Sequence, residues 1–198
     1  MSPLVKTSIV ISSIAVAAAA LVLLSSCSVN VNKKANGEDK KVDIDSPFGD
    51  VHINQEANAS EVGLPVYPGA RLRKDNSDDS DKSANVNLSG FGYGIKVVAV
   101  DYESDDPPAK VIAFYRDQLK KYGNNVLECH TADLNLDMKM DSHDNSSNDL
   151  NCGGKSGSNI ELKAGHKDNQ HLVEVESRSN GSRFSLVYVR THGKGADI

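Results

Sequence analysis

Ile95-Lys96-Val97-Val98-Ala99-Val100-Asp101-Tyr102-Glu103, followed at once by Asp105-Asp106-Pro107-Pro108, is the stretch that decides the fold. The first nine residues are apolar on both faces around positions 97–100 and rich in β-branched side chains. That is the pattern of a strand buried on both sides, and hence central in its sheet. The second run starts a helix: acidic side chains stand at its positive end, and proline falls where a missing amide proton costs nothing. Placed at about 100° intervals, Pro108, Val111, Ile112, Tyr115, Leu119 and Tyr122 share one narrow arc, opposite Arg116, Asp117 and Lys120. Gly123 ends the run. The spacing predicts one amphipathic helix over about 107–122, packed by this stripe on one face of a sheet. Tyr115 and Tyr122 as pocket-lining rings are the weaker alternative. Phe114 lies outside the arc and is available to cover a loop or groove.

Working outward toward the C-terminus, residues 125–130 read as a strand ending on Cys129, and 159–163 as another. Residues 172–178 and 183–190 form the clearest hairpin. Asn180-Gly181 suits a type I′ turn, which pairs Ser177 with Phe184, Val175 with Leu186 and Val173 with Tyr188 on one face, and Glu176 with Ser185 and Glu174 with Val187 on the other. Between them, residues 134–150 have loop composition. His143 near Asp141 and Asp144 has no second histidine at a zinc spacing, so a hydrated loop is expected there. His166 and His171 sit near a turn and read as exposed.

Toward the N-terminus, residues 42–45 and 50–53 alternate around Ser46-Pro47-Phe48-Gly49, a short hairpin that the sequence leaves either on the main sheet or apart from it. Residues 55–61 suit one helical turn. The Asp-rich run 75–82 lacks the glycine and closing glutamate of a calcium loop and reads as solvated. Glycines at 90, 92 and 94 alternate with Phe91 and Tyr93, which marks a bulge or close backbone approach and no phosphate loop. The fold class expected is α+β, a mostly antiparallel sheet carrying one helix and closed by a C-terminal hairpin.

The apolar run 7–24 ends on Leu24-Ser25-Ser26-Cys27. This resembles the lipobox of bacterial lipoprotein precursors, and the resemblance implies cleavage before Cys27 and its lipidation. The rival is an uncleaved spanning helix, because the run is near the lower length limit for crossing a bilayer. Only Lys6 precedes it while Lys33, Lys34, Lys40 and Lys41 follow, so a retained helix would leave the body in the cytoplasm. The organisation expected is a signal peptide at 1–26, a flexible tether at 27–41, a β-hairpin at 42–54, an α+β domain at 64–191 and a disordered tail at 192–198. Ser28 is not the aspartate linked by resemblance to inner-membrane retention, so the outer membrane is favoured over the inner. In an oxidising envelope Cys129 and Cys152 pair most simply as one disulfide, closing a loop of about 23 residues and adding roughly 3 kcal/mol.

Val66-Tyr67-Pro68-Gly69-Ala70, with Asp105, Val111, Phe114-Tyr115-Arg116, Leu119 and Gly123 downstream, resembles an uncharacterised domain of bacterial, often acidobacterial, envelope proteins. That resemblance implies a fold and no activity. Of the 198 residues, Lys and Arg number 22 against 27 Asp and Glu, a net charge of -5 that argues against nucleic acid. Aromatic content is 5% without tryptophan, which argues against a carbohydrate-stacking platform. No nucleophile-base set or carboxylate pair is legible, and Ser89 lacks the glycine of a nucleophile elbow. No catalytic residue, metal ligand or cofactor is expected. The reading is a non-enzymatic binding or assembly module, held to membrane lipid through Cys27, with Phe114, Phe91 and Tyr93 as interaction surface for another envelope protein. A periplasmic small-ligand or divalent-metal sensor is the alternative, and a hydrolase with a non-contiguous site ranks below it.

Overall fold

A computed structural model describes residues 27–33, 40–54, 57–74, 82–132, 149–152 and 157–193. The expected signal peptide, the Asp-rich run at 75–81 and His143 with its neighbouring acids lie outside these residues, as does the chain beyond 193. In order, the elements are β1 (Ser28–Lys33), β2 (Lys40–Ser46), β3 (Gly49–Asn54), α1 (Ala59–Val62), β4 (Arg71–Leu72), β5 (Ser83–Gly90) and β6 (Tyr93–Ser104). There follow α2 (Pro108–Leu119), a 3-10 turn (Lys120–Tyr122), β7 (Leu127–Thr131), β8 (Asn159–His166), β9 (Asn169–Arg178) and β10 (Gly181–His192). The fold is mostly antiparallel sheet with few helices, α+β in the broad sense. Its strands run β1-β2-β3-β5-β6-β10-β9-β8-β7, with β4 beside β6.

Cross-strand register explains which face is buried. Val100, Leu186, Val173 and Leu162 form one row across β6, β10, β9 and β8, and Tyr102, Phe184, Val175 and Ile160 form the next. These rows and Val98 face α2, whose Val111, Tyr115 and Leu119 are fully buried against them. Residues 57–70 complete this core through Ala57, Ala59, Val62, Leu64 and Tyr67. The Tyr115 hydroxyl fastens that segment: it accepts from the Tyr67 N–H at 3.0 Å and donates to the Pro65 carbonyl at 3.1 Å. Tyr67 in turn donates to Asp106 Oδ2 at 3.0 Å. Pro107 caps α2 without a side-chain hydrogen bond, so the acids before the helix serve these side-chain contacts and do not cap it.

Three expectations change, and one left open is decided. Residues 28–33, given to a tether on composition, form β1, because Val29 and Val31 continue the alternation of β2 at Ile44 and Val42. The 42–54 hairpin is part of the main sheet, β3 pairing with β5 over Gly49–Gly90 to Asn54–Asn85. Thr191 and His192, placed in the tail and its frayed approach, belong to β10. The C-terminal hairpin turns at Ser179-Asn180, so Ser177 pairs with Ser182, Val175 with Phe184, Val173 with Leu186, Glu176 with Arg183 and Glu174 with Ser185. Gly181 is needed elsewhere: its φ is +113°, and a Cβ there would stand 2.1 Å from the Ser104 carbonyl. The slip is even, so every side chain keeps its face.

Tyr115→Phe keeps the ring but strands the Tyr67 amide and weakens the hold on Pro65. We expect a loss of about 1–3 kcal/mol, read as a lower urea midpoint at unchanged slope. An unchanged midpoint would show that the hydroxyl does not fasten residues 64–70.

Candidate interaction face

The apolar side chains of the N-terminal strands point away from the helical face. Val29, Ile44, Val51, Leu88 and Ile95 align in one row across β1, β2, β3, β5 and β6. Val31, Val42, Ile53, Val86, Val97 and Val189 align in the next, reaching β10. At the β10 end this face closes into a small second core of Leu172, Val187 and Val189, packed by Val97 and Ala99. At the β1 end it opens, Val29 being 64% and Val31 50% exposed. The reverse side of the same strands is polar, with Asn30, Asp43, His52, Asn87 and Lys96 in one row. Asp43 accepts from His52 Nδ1 at 2.9 Å and holds the imidazole above its ordinary pKa.

The two tight turns beside this face carry exposed aromatics. Gly49 lets the β2–β3 turn approach β5, where a Cβ would meet the Ser89 carbonyl at 2.1 Å. The rings of Phe48 and Phe91 then stack, centroids 6.0 Å apart. Phe91 and Gly92 have φ of +54° and +83°, the two positive angles of a type I′ turn. Phe91 is the only non-glycine at positive φ among the described residues, a position asparagine or glycine would hold at lower cost. Tyr93 lies beside it, exposed.

The residues expected to form an interaction surface are divided. Phe91 and Tyr93 share this tip, with Phe48 as a neighbour that the sequence reading passed over; an aromatic at the crest of Ser46-Pro47-Phe48-Gly49 was the available signal. Phe114 is half-buried against the helical core, edge-on to Tyr67 at 5.2 Å and Tyr115 at 5.0 Å. That core lies near Tyr102, some nine residues along β6 from Tyr93, or roughly 30 Å. Cys27 is exposed, unpaired and directly ahead of β1. Cys129 and Cys152 form a disulfide, Cα atoms 5.5 Å apart.

Arg71 makes a two-pronged contact with Asp105, at 3.0 and 2.8 Å, which holds that carboxyl below its usual range. A polar cleft of about 270 Å³ lies beside it, lined by Arg71, Arg178 and Arg183 with Glu103 and Asp105. Arg183 Nε is buried with no hydrogen-bond partner among the described residues, and burial together with nearby Arg73 and Arg178 lowers the guanidinium pKa. No group of three or more His, Cys, Asp or Glu among the described residues is placed to hold a metal ion. No helix among them is long and apolar enough to cross a membrane. No family model, curated protein or solved structure matches the chain.

His171, read as exposed from sequence, is buried: its ring stacks on Tyr122 with centroids 3.4 Å apart, and Nδ1 is 2.8 Å from the Val62 carbonyl. Burial pushes its pKa below the ordinary 6.5, the bond to Val62 opposes this, and Lys121 adds to the lowering. The folded protein therefore resists a proton that the unfolded chain accepts. The stabilisation is fully present above about pH 6.5 and is lost as pH falls from there through the folded value. His171→Gln should flatten the decline in stability between about pH 7.5 and 5 relative to the unsubstituted protein. Equal declines would mean that another group carries the proton linkage.

Proposed function

We propose that this protein is a lipid-anchored module of the cell envelope that binds or assembles with another envelope protein and catalyses no reaction itself. The observation that carries the reading is the state of its three cysteines: Cys129 and Cys152 are bonded to each other, while Cys27 is exposed and free immediately ahead of β1. An apolar run ending Leu24-Ser25-Ser26 immediately precedes that thiol, which supports processing at Cys27 and acylation of its sulfur. Two or more acyl chains give lasting attachment, at about 0.8 kcal/mol per buried methylene. Ser28 after the anchor supports the outer over the inner membrane. The resemblance of Val66–Ala70 and Phe114–Arg116 to envelope domains agrees with this compartment, although these residues serve packing here.

For the partner surface, the tip formed by Phe48, Phe91 and Tyr93 is the best candidate, since three exposed aromatics beside an open apolar face exceed what an isolated soluble surface needs. A second reading, a periplasmic sensor of a small anionic ligand, draws on the cleft beside Arg71, Arg178 and Arg183.

The experiment is photocrosslinking in living cells from position 91, with the intact mass of the uncrosslinked chain read from the same membranes without reduction. We expect a mass beginning at Cys27 with acyl chains attached and two hydrogens missing at the disulfide, and one reproducible envelope protein captured at position 91 but not at Ser60 on α1. An unprocessed, unacylated chain would contradict the anchor. An acylated chain with no reproducible capture would contradict the binding role.

A further inference from the structure

The main run of the sheet, from β1 to β7, ends in two edge strands, and they are built differently. At β7 the disulfide brings Cys152 against the edge strand, its Sγ lying 3.8 Å from the Glu128 carbonyl. At β1 no strand among the described residues pairs with the outer side. Edge strands in soluble proteins are ordinarily blunted by charge, proline or a bulge. β1 carries no proline and one charge, Lys33 at its last position; residues 28–32, Ser-Val-Asn-Val-Asn, carry none, and the strand pairs with β2 residue for residue without interruption. The outer edge thus presents backbone N–H and C=O groups in register, flanked by the two most exposed aliphatic side chains on the strands, Val29 and Val31.

The three central residues of this run are self-complementary. Val29-Asn30-Val31 reads identically in both directions about Asn30, so an antiparallel two-fold pair centred there sets valine opposite valine on the same face. We propose that β1 pairs antiparallel with β1 of a second copy of this chain, Asn30 lying on the two-fold axis and each Val29 opposite Val31 of the second copy. The two aliphatic rows then continue unbroken from one copy into the other, and each edge valine gains a neighbour on its open side. Repulsion does not oppose the pairing. Asp43, the nearest acid in the row of Asn30, stands three strand spacings from its counterpart, about 14 Å, beyond the screening length of about 8 Å at physiological salt. A lipid surface could cover the valines but would leave the backbone groups of the edge unpaired, whereas a second strand satisfies both. The inference stands on β1 alone and does not need a lipid on Cys27.

Five residues per strand bury less than a standard interface, so the association is weak and trapping is the suitable test. In the full chain carrying Cys27→Ser, with Cys129 and Cys152 bridged, Asn30→Cys supplies one free thiol. Under mild oxidation it should give disulfide-linked dimer at least ten-fold faster than Ser60→Cys, an exposed position on α1. Mixed Val29→Cys and Val31→Cys chains should cross-link to each other faster than either does to itself, which fixes the register. In sedimentation of the otherwise unsubstituted chain, Val31→Asp should weaken self-association at least ten-fold while circular dichroism stays unchanged. Trapping of Asn30→Cys no faster than the control would overturn the proposal. So would a register in which Val29 pairs with itself, or capture of a different protein at position 30 in native membranes.

Discussion

The Tyr115 hydroxyl is the constraint on which the rest of the molecule depends. It sits at the bottom of the helical face, bonded to the backbone of residues 65 and 67, and its ring packs among Phe114 and Phe184. Phe184 also stacks on Tyr102 and meets Tyr67 edge-on, so helix, extended segment and the two central strands converge on one aromatic cluster. A phenol in an apolar surrounding must find hydrogen-bond partners. Here it finds them in a segment that two prolines keep out of regular structure, and so one interaction sets both the depth of α2 and the path of residues 64–70. Burial correspondingly pushes the Tyr115 hydroxyl pKa well above the usual tyrosine range, and it stays a neutral donor at any physiological pH.

From that anchor the sheet extends in two directions with opposite polarity. Across β6, β10, β9 and β8 the apolar rows face the helix. Across β1, β2, β3 and β5 they face the other way, and the helix side turns polar. The exchange happens at β6, whose residues 97–100 are apolar on both faces because each face belongs to a different core. A ten-stranded sheet of this kind leaves one apolar surface tapering toward an edge that no described strand covers. That surface and the aromatic tip beside it are where recognition chemistry is available, while the charged side chains mostly pair among themselves, as Arg71 does with Asp105 and Lys110 with Asp106.

The mostly antiparallel α+β character was legible because alternation in β6, β9 and β10 is strong and local. What escaped was set by neighbours distant in sequence. The turn at Ser179-Asn180 could not be chosen over Asn180-Gly181 without knowing that Gly181 must pass the Ser104 carbonyl. β1 was missed because two valines among asparagines and lysines carry too little hydrophobicity to announce a strand, and only the rows of β2 and β3 give them meaning. Phe114, outside the helical stripe, meets Tyr67 of the extended segment edge-on, a contact that the helical wheel leaves room for without naming the partner. His171 looked exposed because its turn is polar, but the side chain is covered by the 3-10 turn that follows α2.

One continuous sheet changes its buried face at β6 and carries the N-terminal hairpin as part of itself. Amide hydrogen exchange of the full chain tests it most directly. Stability within a sheet should grade from the doubly covered strands to the open edge. Amides in β6, β9 and β10 are predicted to exchange slowest, those of β2 and β3 at intermediate rates, and those on the outer side of β1 fastest. Exchange of β2 and β3 as rapid as in an unfolded chain would contradict the account, because it would mean that the hairpin is not held by β5 and that the aliphatic rows do not form.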